Sequence, residues 1–376
     1  MPTRELKTRE EVEDFVRGCT FYGTGGGGLP ANGVESLMSE LDKGNKVGWV
    51  DISEIPDDAL TVCPYLMGSI APHTPEVVKE MDGFGLTVSV NKEKDRLGKA
   101  IQQLAKFTGK KIDAVVAIEL GGANTPGPIA AGNVNGIPCV DGDYTGRAIP
   151  EIPQTTPYIN EKNLMPIASV DEFGNTCFIE EAINYRVAER IGKLIASAAY
   201  GLAGQAGFLL TGKEMKEIII PGTLTECYEV GKKIRESREA GICPVSAVVE
   251  MLDGYLMAMG KVTAKETEDR QYYWGTHTIE GAGDFEGKTY KIWFKNENHV
   301  MWEDDVPVIT SPDMIIVVDA NTGEPFANPI LDVGDEVAVI GLRARDVFRT
   351  ERGIGILGPR YFEFDFDYVP VEDLIK

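Results

Sequence analysis

At 376 residues with 43% hydrophobic side chains, the chain is long enough for two domains with sizeable cores. Its net charge of -22 argues against nucleic acid or an anionic membrane as the main partner, because either selects a basic patch. The 42 glycines and 21 prolines are spread along the chain and read as tight loops, not disorder.

The opening stretch "MPTRELKTREEVEDF" is charged and has no apolar core of the signal-peptide kind, so a cytoplasmic location is expected. Six widely spaced cysteines without a CxxC pair fit reduced, mostly buried thiols. "TREE" is a capping box, Thr8 with Glu11, and Val12, Phe15, Val16 and Cys19 then share one helical face. "NGVE" repeats the start signal at Asn32 and Glu35 ahead of a stripe of Val34, Leu37, Met38 and Leu41.

Apolar runs "ALTVCPYLM", "GLTVSV", "DAVVAIEL" and "GIPCVDGD" follow, separated by the helical patterns "TPEVVKEM" and "DRLGKAIQQLAKF". This alternation predicts an α/β fold, a mainly parallel sheet with flanking helices. Two further helices are expected. One runs from about Glu180 to Leu202, with Ile183, Val187, Ile191, Leu194 and Ala198 on its buried side; the other is capped at Thr223 and stops near Gly241. Beyond Pro244, "YLMAMGKVT", "QYYWGTHTI", "KTYKIWF", "MIIVVD", "EVAVIGL" and "RYFEFDF" read as short strands. The expected division is an α/β domain over 1–245, with an alternative cut near 170, and a β-rich domain over 246–376.

The run "GTGGGG", Gly23 to Gly28, follows a helix and not a strand, and no Gly-Lys-Ser/Thr closes it. Neither a dinucleotide fingerprint nor a P-loop fits, so no nucleotide cofactor is expected. Two readings stay open: backbone amides presented to an anion, or glycines where two backbones touch.

The segment "IELGGANTPGPIAAGNVNGIPCVDGDYTGRAIPE" places Glu119 and Asn124 after one strand, and Asp141, Asp143, Arg147 and Glu151 at or after the next. Ligands of open parallel sheets sit outside such strand ends. Clustered carboxylates raise at least one pKa while Arg147 holds another ionised, which suits acid–base work, a metal or a polar ring. Each residue also has an ordinary role: Asp141 or Asp143 capping a turn, Arg147 pairing with Glu151, Glu119 as a buried structural partner.

Of three histidines, His277 and His299 lie among strand residues, whereas His73 follows a strand exit on the expected ligand side. A divalent metal such as zinc on His73, Asp141 and Asp143 would be one way to activate water. Cys63 and Cys139 lie within strands and read as inert packing. "KNEN" sets Asn296, Glu297 and Asn298 together, either lining the cleft or forming a polar turn.

"GTGGGG", "ELGGANTPGPIAAGNVNGIPCVDGDYTGRAIPE", "KNEN" and "GPRYFEFDFDYVPVE" together resemble the DUF917 family, S-methyl thiohydantoin desulfurase-like proteins associated with hydantoin metabolism. The resemblance runs along nearly the whole chain. It implies hydrolysis of a hydantoin-like ring bearing a methylthio group, with loss of methanethiol. On that reading Asp141 or Asp143 serves as base, and Glu119 or the other aspartate as acid. Asn124 and Arg147 orient the ring, and the amides of Gly25, Gly26, Gly27 and Gly28 face an anionic group. The expected partner is a small-molecule substrate, and a homo-oligomer is compatible with the sequence. The rival is a non-catalytic binding or sensor protein for a small cyclic metabolite.

Overall fold

The computed structural model describes residues 3–68, 73–269 and 272–375. Thr8 and Glu11 form the expected capping box, and the first helix runs Arg9–Tyr22. The next helix starts at Pro30, two residues ahead of Asn32, because proline already has the φ of a first helical turn.

The first sheet contains β1 (Arg4–Leu6), β2 (Val47–Val50), β3 (Leu60–Gly68), β4 (Ala114–Ala117), β5 (Cys139–Asp143), β6 (Ile167–Asp171), β7 (Thr176–Ile179), β8 (Leu202–Thr211) and β9 (Ile220–Pro221). Its order is β1-β2-β5-β4-β3-β8-β6-β7, with β9 on β5. The centre, β2-β5-β4-β3, is parallel. Helix Glu93–Thr108 carries the chain from β3 to β4 and helix Pro126–Asn135 from β4 to β5, as parallel neighbours require. An antiparallel wing of β8, β6 and β7 extends this centre. Val115 and Val116 are fully buried in different cores, so the sheet is covered on both faces.

The second sheet is antiparallel throughout: β10 (Tyr255–Asp269), β11 (Tyr273–Gly281), β12 (Thr289–Lys295), β13 (Glu297–Glu303), β14 (Val306–Thr310), β15 (Met314–Asp319) and β16 (Glu336–Leu342). On β15, Ile315 and Val317 fill this sheet's own core, whereas Met314, Ile316 and Val318 join the core of the first sheet's helices. One face of the second sheet therefore packs onto the α/β part, and the two share apolar interior.

Four expectations change. "GLTVSV" is irregular, with Val88 and Val90 exposed, and "RYFEFDF" becomes a short 3-10 turn, Pro359–Phe362. The helix expected from Glu180 to Leu202 spans Tyr185–Ser197 and gives way to β8. Its buried face carries Ala188, Glu189, Gly192 and Ala196, while Ile183 and Leu194 face solvent. Gly192 lies against Gln205 of β8, a spacing that a larger side chain would prevent. Finally, helix Thr223–Glu239 is capped from outside, by Asp141, and not by Thr223.

Candidate functional site

The glycine run joins two helices and is wedged between the sheets. On one side Asn298 and Asn328 donate their amides to Thr24 and Gly25, both at 2.7 Å. On the other, Ala123 and Asn124 donate to the Gly27 carbonyl at 3.0 and 3.1 Å. Gly27 has φ +74, and a Cβ there would lie 2.4 Å from the Gly121 Cα. A Cβ on Gly26 would lie 1.9 Å from Glu297 Oε1. Close backbone approach therefore explains Gly27. A carboxyl of the protein itself faces the loop, since the Gly27 amide donates to Glu297 and favours its ionised form against the effect of burial. Gly27→Ala should cost on the order of 3 kcal/mol by backbone clash and strain. Gly26→Ala should disturb Glu297 more than the fold. Urea unfolding of both variants measures the difference, and equal losses would contradict it.

Arg147 is buried and spends all five N–H groups on the protein. Nε donates to the Ala148 carbonyl at 3.0 Å, Nη1 to Pro312 and Asp313 at 3.1 and 3.2 Å, and Nη2 to Thr24 Oγ1 and Asn298 at 3.0 and 3.1 Å. Burial pulls its pKa down to about 10, opposed by Glu297, Asp313 and Glu119, so it is charged at neutral pH. No donor remains to orient a ring. Arg147 clasps the glycine loop and the second sheet instead.

The two aspartates of β5 serve the start of helix Thr223–Glu239. Asp141 Oδ1 accepts the Leu224 and Thr225 amides at 3.1 Å, and Oδ2 accepts Thr225 Oγ1 at 2.6 Å. These are helix orphan donors, satisfied by a side chain distant in sequence. Asp143 accepts four: Thr145 N at 2.8 Å, Thr145 Oγ1 at 2.9 Å, Gly146 N at 2.7 Å and Thr223 Oγ1 at 2.8 Å. Burial raises the pKa of both, to about 6 for Asp143. Asp143 Oδ2 serves the Thr145–Gly146 turn and Oδ1 holds Thr223, so both oxygens already have protein partners.

Glu119 stands differently. Its Oε1 accepts Asn124 Nδ2 at 2.5 Å and its Oε2 accepts the Ile149 amide at 2.8 Å. Burial holds its carboxyl up at about 7 against those two donors, and Asp143 adds to the rise. Glu297, from the second sheet, is pushed well above the usual carboxylate range by burial and by Glu119, against the pull of Arg147. Its Oε2 is buried with no hydrogen-bond partner. Two carboxyls from different sheets thus share one interior, and Gly26, Gly28 and Asn124 beside them are partly exposed.

His73 is exposed, with Nε2 on the Tyr200 carbonyl at 2.5 Å, and does not join Asp141 and Asp143. Among the described residues no group of three His, Cys, Asp or Glu side chains is arranged to hold a metal ion. His277 and His299 are fully buried, and burial drives both toward the neutral form, His277 to about 4. Cys63 and Cys139 are buried thiols whose pKa burial raises. No helix among the described residues is long and apolar enough to cross a membrane.

Two family models cover the chain, the S-Me-THD-like N-terminal domain over residues 10–181 and the S-Me-THD-like C-terminal domain over residues 183–371. The chain belongs to the S-Me-THD-like family. It is also similar to the crystal structure of a protein from Chromobacterium violaceum, with 20% identity and a TM-score of 0.79, over 98% of this chain and 100% of that one. That likeness shows the fold. No curated protein matches. The S-Me-THD-like division at 181–183 cuts across the first sheet, because β8 and β9 lie beyond it yet pair with β3, β6 and β5.

Glu119, Asn124, Arg147 and the glycine loop meet at one seam of this S-Me-THD-like fold, whereas Asp141 and His73 are engaged elsewhere. From the sequence, Glu297 is open to lining the cleft or forming a polar turn, with no catalytic role assigned. The signal available was "KNEN" itself, where Asn296 takes φ +59 and sets Lys295 opposite Glu297.

Proposed function

We propose that this S-Me-THD-like chain is a hydrolase of a small hydantoin-like ring, replacing a methylthio group by oxygen. The observation that carries the reading is the buried Glu119–Glu297 pair, one carboxyl held by two donors and the other with an unpartnered Oε2. Glu119 has two donors that favour its ionised form, which suits a base. Glu297, with a bare Oε2, suits the protonated acid. This reverses the acid role given to Glu119 by sequence and moves water activation away from Asp141 and Asp143.

Water adds to the ring carbon bearing sulfur and gives its proton to Glu119. The C=N π electrons move to nitrogen, which takes a proton from solvent, and the new hydroxyl gives one back to solvent as the C=O bond forms. As the tetrahedral centre collapses, the C–S bond breaks and the sulfur leaves with a proton from Glu297. A proton returned from Glu119 through solvent restores Glu297, and hydantoin and methanethiol are the products. Asn124 holds Glu119 in place.

A thiol-trapping assay across hydantoin-like rings tests the reaction, with stoichiometric methanethiol release from the S-methyl thiohydantoin expected. Saturable binding of that ring with no thiol released would leave a binding or sensor protein in place of an enzyme.

A further inference from the structure

A cleft of about 540 Å³ opens in the second sheet, within the roughly 300–1,000 Å³ usual for ligand pockets. Tyr272, Trp274, Trp293 and Thr276 line it, all of them half-buried, so three large aromatic side chains remain reachable from solvent. Tyr272 and Trp274 stand edge to face with centroids 6.0 Å apart, and Trp274 and Trp293 are 5.6 Å apart at 62°. Such walls offer flat apolar faces to a planar guest.

Behind the rings lies a buried set of charges. Lys295 Nζ is 4.1 Å from the centre of the Tyr272 ring and 5.0 Å from that of Trp274, and it pairs with Glu151. Glu151 also accepts the Tyr361 hydroxyl at 2.6 Å. Lys193 Nζ lies 3.1 Å from the same Tyr272 centroid and 3.0 Å from Glu189, which accepts the Tyr272 hydroxyl at 2.9 Å. Burial lowers the Lys193 pKa and raises that of Glu189, so these charges are held at a desolvation cost. The cluster draws on helix Tyr185–Ser197, the segment after β5 and the second sheet, and so joins both parts of the fold.

We propose that this cleft is the ring-binding site, where a planar, neutral or weakly acidic heterocycle stacks on Trp274 and Trp293 with its polar edge toward Lys295 and Glu151. The carboxylates of Glu266 and Glu268 on one wall disfavour a multiply charged anion. The hydantoin-like identity of the ring rests on the hydrolase reading, whereas the stacking geometry does not. Lys295 and Glu151 lie two residues from Glu297 and from Ile149, whose amide bonds Glu119, so the charges behind the rings and the carboxyl pair share two backbone segments.

Tryptophan fluorescence of the full chain, titrated with hydantoin and with S-methyl thiohydantoin, tests the site. Saturable quenching is expected in the wild type. Trp274→Ala should weaken binding about tenfold or more and raise KM equally, with kcat within about threefold. Thr276→Tyr, which fills the cleft from a half-buried position, should abolish quenching and guards against a Trp274 variant that fails to fold. Thiol release with unchanged KM in both variants would overturn the cleft and leave the hydrolase reading standing. Quenching lost in both variants, with no thiol released by any form, would uphold the cleft and sink the reaction. Wild-type affinity in the folded variants overturns the proposal outright.

Discussion

Replacing Arg147 with alanine should lower the free energy of unfolding by about 3–5 kcal/mol, the cost of breaking a buried charge network. Five hydrogen bonds disappear at once, and their acceptors lie at Ala148, in the glycine loop, on β13 and in the turn at Pro312 and Asp313. Glu119 and Glu297 also lose a cation that favours their ionised forms. Lysine should rescue little, because a point charge cannot reach five carbonyl and hydroxyl oxygens in a planar fork. Urea midpoints of the wild type, Arg147→Ala and Arg147→Lys give the measurement. Unchanged stability together with lost ring affinity would return Arg147 to the ligand-orienting role expected from the sequence.

Glu119→Gln and Glu297→Gln should each reduce thiol release by about a hundredfold or more, the usual worth of a positioned acid or base. Glu119 also leaves a signature in stability against pH. Its folded pKa of about 7 lies above the ordinary 4.5, so the protonated form stabilises the fold. That contribution is fully present below about pH 4.5 and is lost as pH rises through 7. The difference corresponds to about 3 kcal/mol, shared with Glu297 through their mutual repulsion. Glu119→Gln should therefore flatten the fall in melting temperature between pH 5 and pH 8, and be relatively more stable at pH 8 while inactive. A variant active at pH 8 would remove Glu119 from the chemistry.

Much of the fold is legible in the sequence because it follows from local rules. The Thr8–Glu11 capping box, the helix led by Pro75 and three of the four parallel central strands, β3, β4 and β5, depend on neighbours within a turn or on short apolar runs. "GLTVSV" misleads because an apolar run resembles a strand whether or not a partner strand lies beside it. The helix at Tyr185–Ser197 misleads for a related reason. Close packing on β8 favours small residues, so Gly192 and Ala196 turn inward with Glu189, and Leu194 turns out.

By itself the sequence determined which residue types gather at the strand ends, and that the glycines serve no nucleotide motif. Only the tertiary structure decided their duties. Asp141 and Asp143 meet the start of a helix some 80 residues on, where unpaired amides and a hydroxyl claim their oxygens. Arg147 meets five acceptors that no local pattern announces. Glu297 becomes the partner of Glu119 only because the second sheet presses its Asn296 turn against the glycine loop. Proton affinity is set by burial and by charges a few ångströms away, and those distances exist only once the two sheets have docked.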